Sequence, residues 1–263
     1  LRQTLDLYTC LRPCKAYPGN PLNYREGIDI TVFRENTEGM YIGVEYARVP
    51  AAFRTVDGME RVPEDAAISL RAITPGSSER IARRAFEYAR QHEYRRVTAV
   101  HKSNVLRQTG AVFMDAVKRV SKEFPEIELT TANVDAMGMW LLKNPLNYHV
   151  IVTTNLFGDI ISDICAQMVG GLGFACSGNI GDHYAVFEPT HGSAPKYAGH
   201  YCVNPIASIL AGRMMLQWLR EDELAARVEK AVTAVIMDGL VRTYDVGGSA
   251  STIEMAQAVA DQL

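Results

Sequence analysis

Two aspartates four residues apart, Asp159 and Asp163, stand in the stretch Asn155-Leu156-Phe157-Gly158-Asp159-Ile160-Ile161-Ser162-Asp163. On a helix this spacing projects both carboxylates from one face, where they repel each other unless a cation lies between them. Hard oxygen donors of this kind suit Mg²⁺ or Mn²⁺, although the spacing alone also fits a solvated acidic face. Three arginines, Arg2, Arg12 and Arg34, could grip carboxylates in bidentate fashion if the fold brings them together; taken singly, each reads equally as a surface charge. Lys102, in Val100-His101-Lys102-Ser103-Asn104, ends an apolar run. A lysine desolvated there near other cations could serve as a base, while an exposed strand-end charge is the plainer alternative. In Glu188-Pro189-Thr190-His191-Gly192-Ser193-Ala194-Pro195-Lys196-Tyr197, small residues would let backbone N–H groups approach a phosphate, with Lys196 pairing to it and Tyr197 packing on a ring. Gly170-Gly171-Leu172-Gly173 does not complete a GxGxxG motif, so no Rossmann fingerprint is present.

The elements that must position these groups alternate between strand and helix. Strands are expected over 28–33, 96–101, 129–134, 149–154 and 185–188. Helices are expected over 78–91, 110–124, 136–143, 160–169, 205–219, 223–238 and 252–262. Pro205 suits a first helical position, and Ser251 with Glu254 has capping-box spacing. Residues 170–181 read as a glycine-rich loop. The pattern is α/β, with a boundary near residue 168 and a final third that is mostly helical and short of strands to pack on.

Bulk properties narrow the function. The 263 residues suffice for one large or two modest domains. A net charge of −3 gives no general attraction to nucleic acid or anionic membrane, and no apolar run is long enough to span a bilayer. Five scattered cysteines without a CxxC pair read as reduced thiols of a cytoplasmic protein. The opening residues Leu1 to Asp6 do not read as a signal peptide.

In order along the chain, LRQTLDLYTCLRP, FRENTEGMYIG, VHKSN, NLFGDIISD, EPTHGSAPKYAG and VNPIAS resemble the isocitrate/isopropylmalate dehydrogenases, the β-decarboxylating dehydrogenases. The first of these stretches is more similar to bacterial isocitrate dehydrogenases than to isopropylmalate ones. The resemblance implies a two-domain α/β fold without a Rossmann GxGxxG turn. Residues 8–168 would form a small domain with substrate, metal and dimer elements; residues 1–7 and 169–263 would form the C-terminal half of a large cofactor-binding domain. In the family an opening segment precedes the first arginine, so the large domain is expected to be incomplete here. A chain limited to these residues is expected to hold that domain poorly and to show no turnover.

By the same resemblance, Arg2, Arg12 and Arg34 bind substrate carboxylates, with Asn104 near the substrate or nicotinamide. Tyr41 donates a proton, and Lys102 is the general base. Asp159 and Asp163, with Asp135 as a third, bind the metal, and Asp159 thereby takes part in catalysis. Lys102 and Asp135 would serve a neighbouring subunit's site, which implies at least a homodimer. The cofactor would meet Glu188, His191, Gly192, Ser193, Ala194, Lys196, Tyr197, Asn204, Tyr244 and Asp245. Lys196, Tyr197, Val203 and Tyr244 are similar to NADP-using members. Tyr184, and the lack of an arginine shortly after Tyr244, are closer to NAD-using ones. The implied reaction is oxidation and decarboxylation of a 2-hydroxy acid, isocitrate to 2-oxoglutarate with NADP. Isopropylmalate or homoisocitrate oxidation with NAD, and a non-catalytic subunit or inactive truncated member, are the alternatives.

Overall fold

The computed structural model describes residues 1–263. Its strands and helices run β1 (Thr9–Lys15), β2 (Asp29–Glu35), β3 (Glu45–Tyr46), β4 (Ile68–Ser69), α1 (Pro75–Gln91), β5 (Arg96–His101), α2 (Arg107–Ser121), β6 (Glu128–Asn133), α3 (Val134–Lys143), β7 (Val150–Thr153), α4 (Asn155–Gln167), β8 (Cys176–Ile180), β9 (Ala185–Pro189), α5 (Ile206–Trp218), α6 (Asp222–Asp238) and α7 (Thr252–Ala260). Seven strands make one mixed sheet in the order β6-β5-β7-β2-β1-β8-β9, and β3 pairs with β4 in a separate two-stranded ribbon. Strands β6, β5, β7 and β2 are mutually parallel, whereas β1, β8 and β9 pair antiparallel.

Strand alternation sorts the core onto the two sheet faces. Ile30, Val32 and Ile151 pack on one face with Met137, Leu141, Ile161 and Cys165 of α3 and α4. Phe33, Val97, Ala99, Val150 and Val152 pack on the other with α1 and α2. Val150, Ile151 and Val152 are wholly buried, as an apolar strand covered on both faces must be. A third core joins Phe174 and Cys176 to the apolar faces of α5, α6 and α7, with Tyr17 reaching in from the loop after β1.

Two expectations need correction. Residues 170–181 are not all loop, because Cys176-Ser177-Gly178-Asn179-Ile180 is a strand of the sheet, paired on both sides by β1 and β9. Its polar composition hid it: Ser177 and Asn179 are buried and hydrogen-bonded, and Gly178 clears space for Phe187 and Met214. With β9 and β1 it supplies the sheet that the helical final third lacked. Pro205 is the residue before α5 rather than its first turn, and the Asn204 side chain accepts from the Ile206 N–H at 3.0 Å.

The capping box at α7 is formed as expected: Ser251 Oγ accepts from the Glu254 N–H, and the Glu254 carboxylate accepts from the Ser251 N–H. Replacing Ser251 by Ala should lower stability by about 1 kcal/mol. Chemical denaturation of the two proteins side by side would measure it, and no change in midpoint would show that α7 is anchored by packing alone.

Candidate active site

The carboxyl ends of β6, β5, β7 and β2 open on one edge of the sheet, where open α/β folds place their ligands. Arg34 lies near the end of β2, and Lys102 directly follows β5. Asp135 sits in the first turn of α3 after β6, and Asn155 to Asp163 occupy α4 after β7. Arg12 arrives from the middle of the antiparallel β1.

Arg12 and Arg34 converge on Asp159. The Arg34 guanidinium is buried; its Nη1 is ion-paired to Asp159 Oδ1, and its Nε donates to Asn155 Oδ1 at 2.9 Å. Arg12 Nη1 lies 3.2 Å from Asp159 Oδ1, 3.5 Å from Asp163 Oδ1 and 2.7 Å from Ser162 Oγ. Tyr41, in a short 3₁₀ turn over Met40–Ile42, donates its hydroxyl to Asp159 Oδ2 at 2.6 Å and lies under the Arg34 guanidinium. Burial opposes ionisation of Asp159, but the Tyr41 hydrogen bond and the charges of Arg34 and Arg12 outweigh it, so its carboxyl is held below the usual range. The same hydrogen bond, reinforced by burial, pushes the Tyr41 hydroxyl upward, so Tyr41 keeps its proton at neutral pH.

Asp159 thus contributes stability that is present above its unfolded-state value of about 3.9 and is lost as pH falls through the lower folded value. The melting-temperature gap between the native protein and Asp159→Asn should therefore be widest near neutrality and shrink below about pH 4. A gap independent of pH would mean that the ionised form is not the one bound.

Two acids and two arginines are a usable site for a divalent cation and an anionic substrate. Asp159 and Asp163 offer hard oxygen donors on one helix face, and Mg²⁺ commonly takes one or two protein carboxylates together with substrate oxygens. Asp163 is exposed. Arg12 Nε is buried without a partner, a donor left for an incoming ligand. Asp159 itself occupies the place between the two arginines. No three acids, histidines or cysteines of the one chain gather into a metal cluster.

Other expected residues lie elsewhere. Arg2 does not join the pair; it forms an ion pair with Glu188 at 3.5 Å. Lys102 donates to Asp135 at 2.6 Å, so its neighbour is an acid rather than the cations expected for a lysine tuned as a base. Asn104 is exposed on the turn after Lys102. The segment Glu188 to Tyr197 forms one rim. Glu188 accepts from Asn179 at 2.8 Å, the His191 ring nitrogen Nδ1 is 2.9 Å from the Gly192 carbonyl, Gly192 and Ser193 are exposed, and Ala194 adopts a left-handed φ of 44°. The Lys196 ammonium lies 4.8 Å from the Tyr197 ring centroid, and that ring lies 5.7 Å from Tyr244. Asn204 donates to Asp245 at 3.0 Å. Gly173 has room only for hydrogen beside that pair, so this glycine serves packing rather than a phosphate.

Sequence reasoning missed the groups that hold the arginines. Asn155 clamps Arg34, Ser162 clamps Arg12, and both lie inside the segment already singled out for its aspartates. Buried Glu38 accepts from the Thr74 N–H and hydroxyl, while its backbone carbonyl accepts from Asn155. Arg71 ties the chain before α1 to Thr109 and Thr154. Only the polar residues flanking each strand end could have signalled them.

A mixed sheet covered on both faces, with paired arginines and helix-borne aspartates at the carboxyl edge of its parallel strands, suits an enzyme for a small anionic substrate. Residues 1–259 match the isocitrate/isopropylmalate dehydrogenase family. The chain is 44% identical over 263 residues to 3-isopropylmalate dehydrogenase of Methanothermobacter thermautotrophicus, covering all of this chain and 75% of that one. It is 45% identical over 265 residues to isocitrate/homoisocitrate dehydrogenase of Thermus thermophilus, covering all of this chain and 73% of that one. The crystal structure of isocitrate dehydrogenase from Methylococcus capsulatus superposes with a TM-score of 0.90 at 40% identity, over 99% of this chain and 74% of that one. The chain belongs to the isocitrate/isopropylmalate dehydrogenase family, the NAD(P)-dependent dehydrogenases of the β-decarboxylating type.

Proposed function

We propose that the protein oxidises and decarboxylates isocitrate to 2-oxoglutarate with NADP and Mg²⁺ or Mn²⁺, acting in the cytoplasm as a homodimer with shared active sites. The observation that carries this reading is the joint grip of Arg12 and Arg34 on one carboxylate. Arg12 and Arg34 bind substrate carboxylates, with Arg2 and Asn104 joining when substrate is bound. Asp159 and Asp163 hold the metal, together with Asp135 from a second copy. When bound, the metal lowers the pKa of the substrate hydroxyl and stabilises negative charge on its oxygen. Tyr41 holds the proton destined for substrate carbon, and Lys102 of the second copy takes the hydroxyl proton as hydride leaves. Residues 8–168 act as the substrate and dimer domain, and residues 1–7 with 169–263 as the cofactor domain.

A dimer is supported by exposed apolar side chains beside the site. Met139 and Leu142 on α3, and Leu156 and Ile160 on α4, are between 37% and 52% exposed, more than an isolated helix pair should leave to water. The Lys102–Asp135 pair stands at the start of the same α3. The NADP reading is supported by Lys196 beside Tyr197 and Tyr244, a cation of the kind that pairs with a ribose 2′-phosphate.

Initial rates of nicotinamide reduction with isocitrate, homoisocitrate and 3-isopropylmalate, each with NADP and NAD, test the proposal. Isocitrate with NADP should give the highest kcat/KM, and Lys196→Asp should cut the preference for NADP over NAD by at least about tenfold. A higher kcat/KM with another acid, or with NAD, would overturn the substrate or cofactor assignment respectively.

A further inference from the structure

On the sheet face opposite Arg12 lies a pocket outside the site around Asp159. Arg12 points from β1 toward α4, whereas its neighbour Pro13, with Lys15, faces a pocket between α1, α5 and α6. The pocket holds about 260 Å³, below the roughly 300–1,000 Å³ of drug-sized sites and suited to a single small metabolite. Its apolar wall is Tyr88, Tyr94, Phe174 and Leu210.

Its polar groups are divided by sign. Glu229 is ion-paired to both Lys15 and Arg213, which leaves that group of three with one surplus positive charge. Asp29, the cross-strand partner of Lys15, accepts from the Tyr94 hydroxyl at 2.8 Å and forms no ion pair. His92 also lines the pocket.

Two donors have no protein partner. Arg213 Nε is buried and unpaired. Tyr17 is 6% exposed, lines the pocket, and its hydroxyl makes no side-chain hydrogen bond. Glu229, Arg213 and Asp29 line the same pocket as that hydroxyl, so groups of both signs face one cavity. The buried Arg213 Nε, left unpaired, costs free energy unless water or a ligand satisfies it, whereas the Tyr17 hydroxyl opens onto the pocket.

We propose that this pocket binds a small zwitterion of the α-amino-acid class, its carboxylate on Arg213 and Tyr17 and its ammonium on Asp29. A simple anion would leave Asp29 unmatched, and a simple amine would leave the arginine side unmatched. None of these three residues belongs to the site around Asp159, so the test does not depend on turnover.

Isothermal titration of the protein with L-methionine, 4-(methylthio)butanoate and 3-(methylthio)propylamine separates the possibilities. L-Methionine should bind with a Kd of about 1 mM or tighter, and each half-charged analogue at least about tenfold more weakly. Tyr17→Phe and, as a second probe, Asp29→Asn, which keeps an acceptor for Tyr94, should each weaken L-methionine binding several-fold while the unliganded melting temperature stays close to that of the native protein. Absence of L-methionine binding, equal binding of either analogue, or unchanged binding in both variants would overturn the proposal and leave a water-filled pocket.

Discussion

Asp159→Asn should lower kcat/KM for the decarboxylating oxidation by at least about a thousand-fold, because one side chain serves two sets of partners. It offers a hard oxygen donor beside Asp163, and it neutralises Arg34 and Arg12. The amide keeps one acceptor for Tyr41 and Arg34 but supplies no negative charge. Arg34 is 1% exposed, so it would be left as an uncompensated buried cation with Asn155 as its main partner. Loss of one member of a buried ion pair costs about 3–5 kcal/mol. The partial exposure of Asp159 and the retained hydrogen bonding reduce this to about 1–3 kcal/mol. Asp163→Asn is the informative contrast. Asp163 is 63% exposed and touches only Arg12, at 3.5 Å. Its loss should cost less than about 0.5 kcal/mol of stability while still lowering activity steeply. Steady-state kinetics and denaturant melts of both variants separate the roles. Equal stability losses would mean that Asp163 is also a structural partner, and intact activity in either would remove that residue from the site.

Gly158→Ala should be the second-largest lesion, although alanine is the better helix former by about 1 kcal/mol. A Cβ at Gly158 would stand 2.6 Å from both Cβ and Cγ of Arg34, too near for any side-chain adjustment that leaves the guanidinium in place. The helix must move off β2 or Arg34 must tilt away from Asp159. Overpacking of this kind costs about 1–3 kcal/mol, which cancels or exceeds the helix gain. A shift of about 1 Å in a substrate-gripping group costs roughly a hundred-fold in rate. The expected result is therefore a modest fall in melting temperature with a large fall in kcat/KM, expressed mainly in KM. Asn155→Ala, which removes the Arg34 clamp without adding bulk, should move KM in the same direction. A Gly158→Ala protein with native kinetics would show that α4 and β2 have slack between them.

Those two variants also mark where sequence was informative. The i, i+4 spacing of Asp159 and Asp163 is a local property of one helix, and it was readable before any contact was known. The wholly apolar β7 and the amphipathic α1 and α2 were readable for the same reason. Convergence was not, because Arg12 and Arg34 lie 125 residues or more before Asp159 and meet it only through the order in which strands join the sheet. Arg2 shows the hazard: its residue type and motif match those of the other two arginines, yet its partner here is Glu188. Strand β8 was hidden because its buried residues are small or polar and are satisfied by hydrogen bonds, so periodicity had no apolar signal to detect. The clamps Asn155 and Ser162 were in plain view within one motif, but their task is defined by arginines that the motif does not contain.

In the proposed reaction Asp159 and Asp163 hold a divalent cation next to arginines that hold substrate carboxylates. The most direct measurement is Mn²⁺ binding, followed by electron paramagnetic resonance, with and without isocitrate and without any cofactor or turnover. One Mn²⁺ should bind per site, at least about tenfold tighter when isocitrate is present, with that coupling lost in Asp159→Asn. Mn²⁺ affinity that ignores isocitrate, or that survives unchanged in the Asp159→Asn, Asp163→Asn double variant, would contradict this assignment.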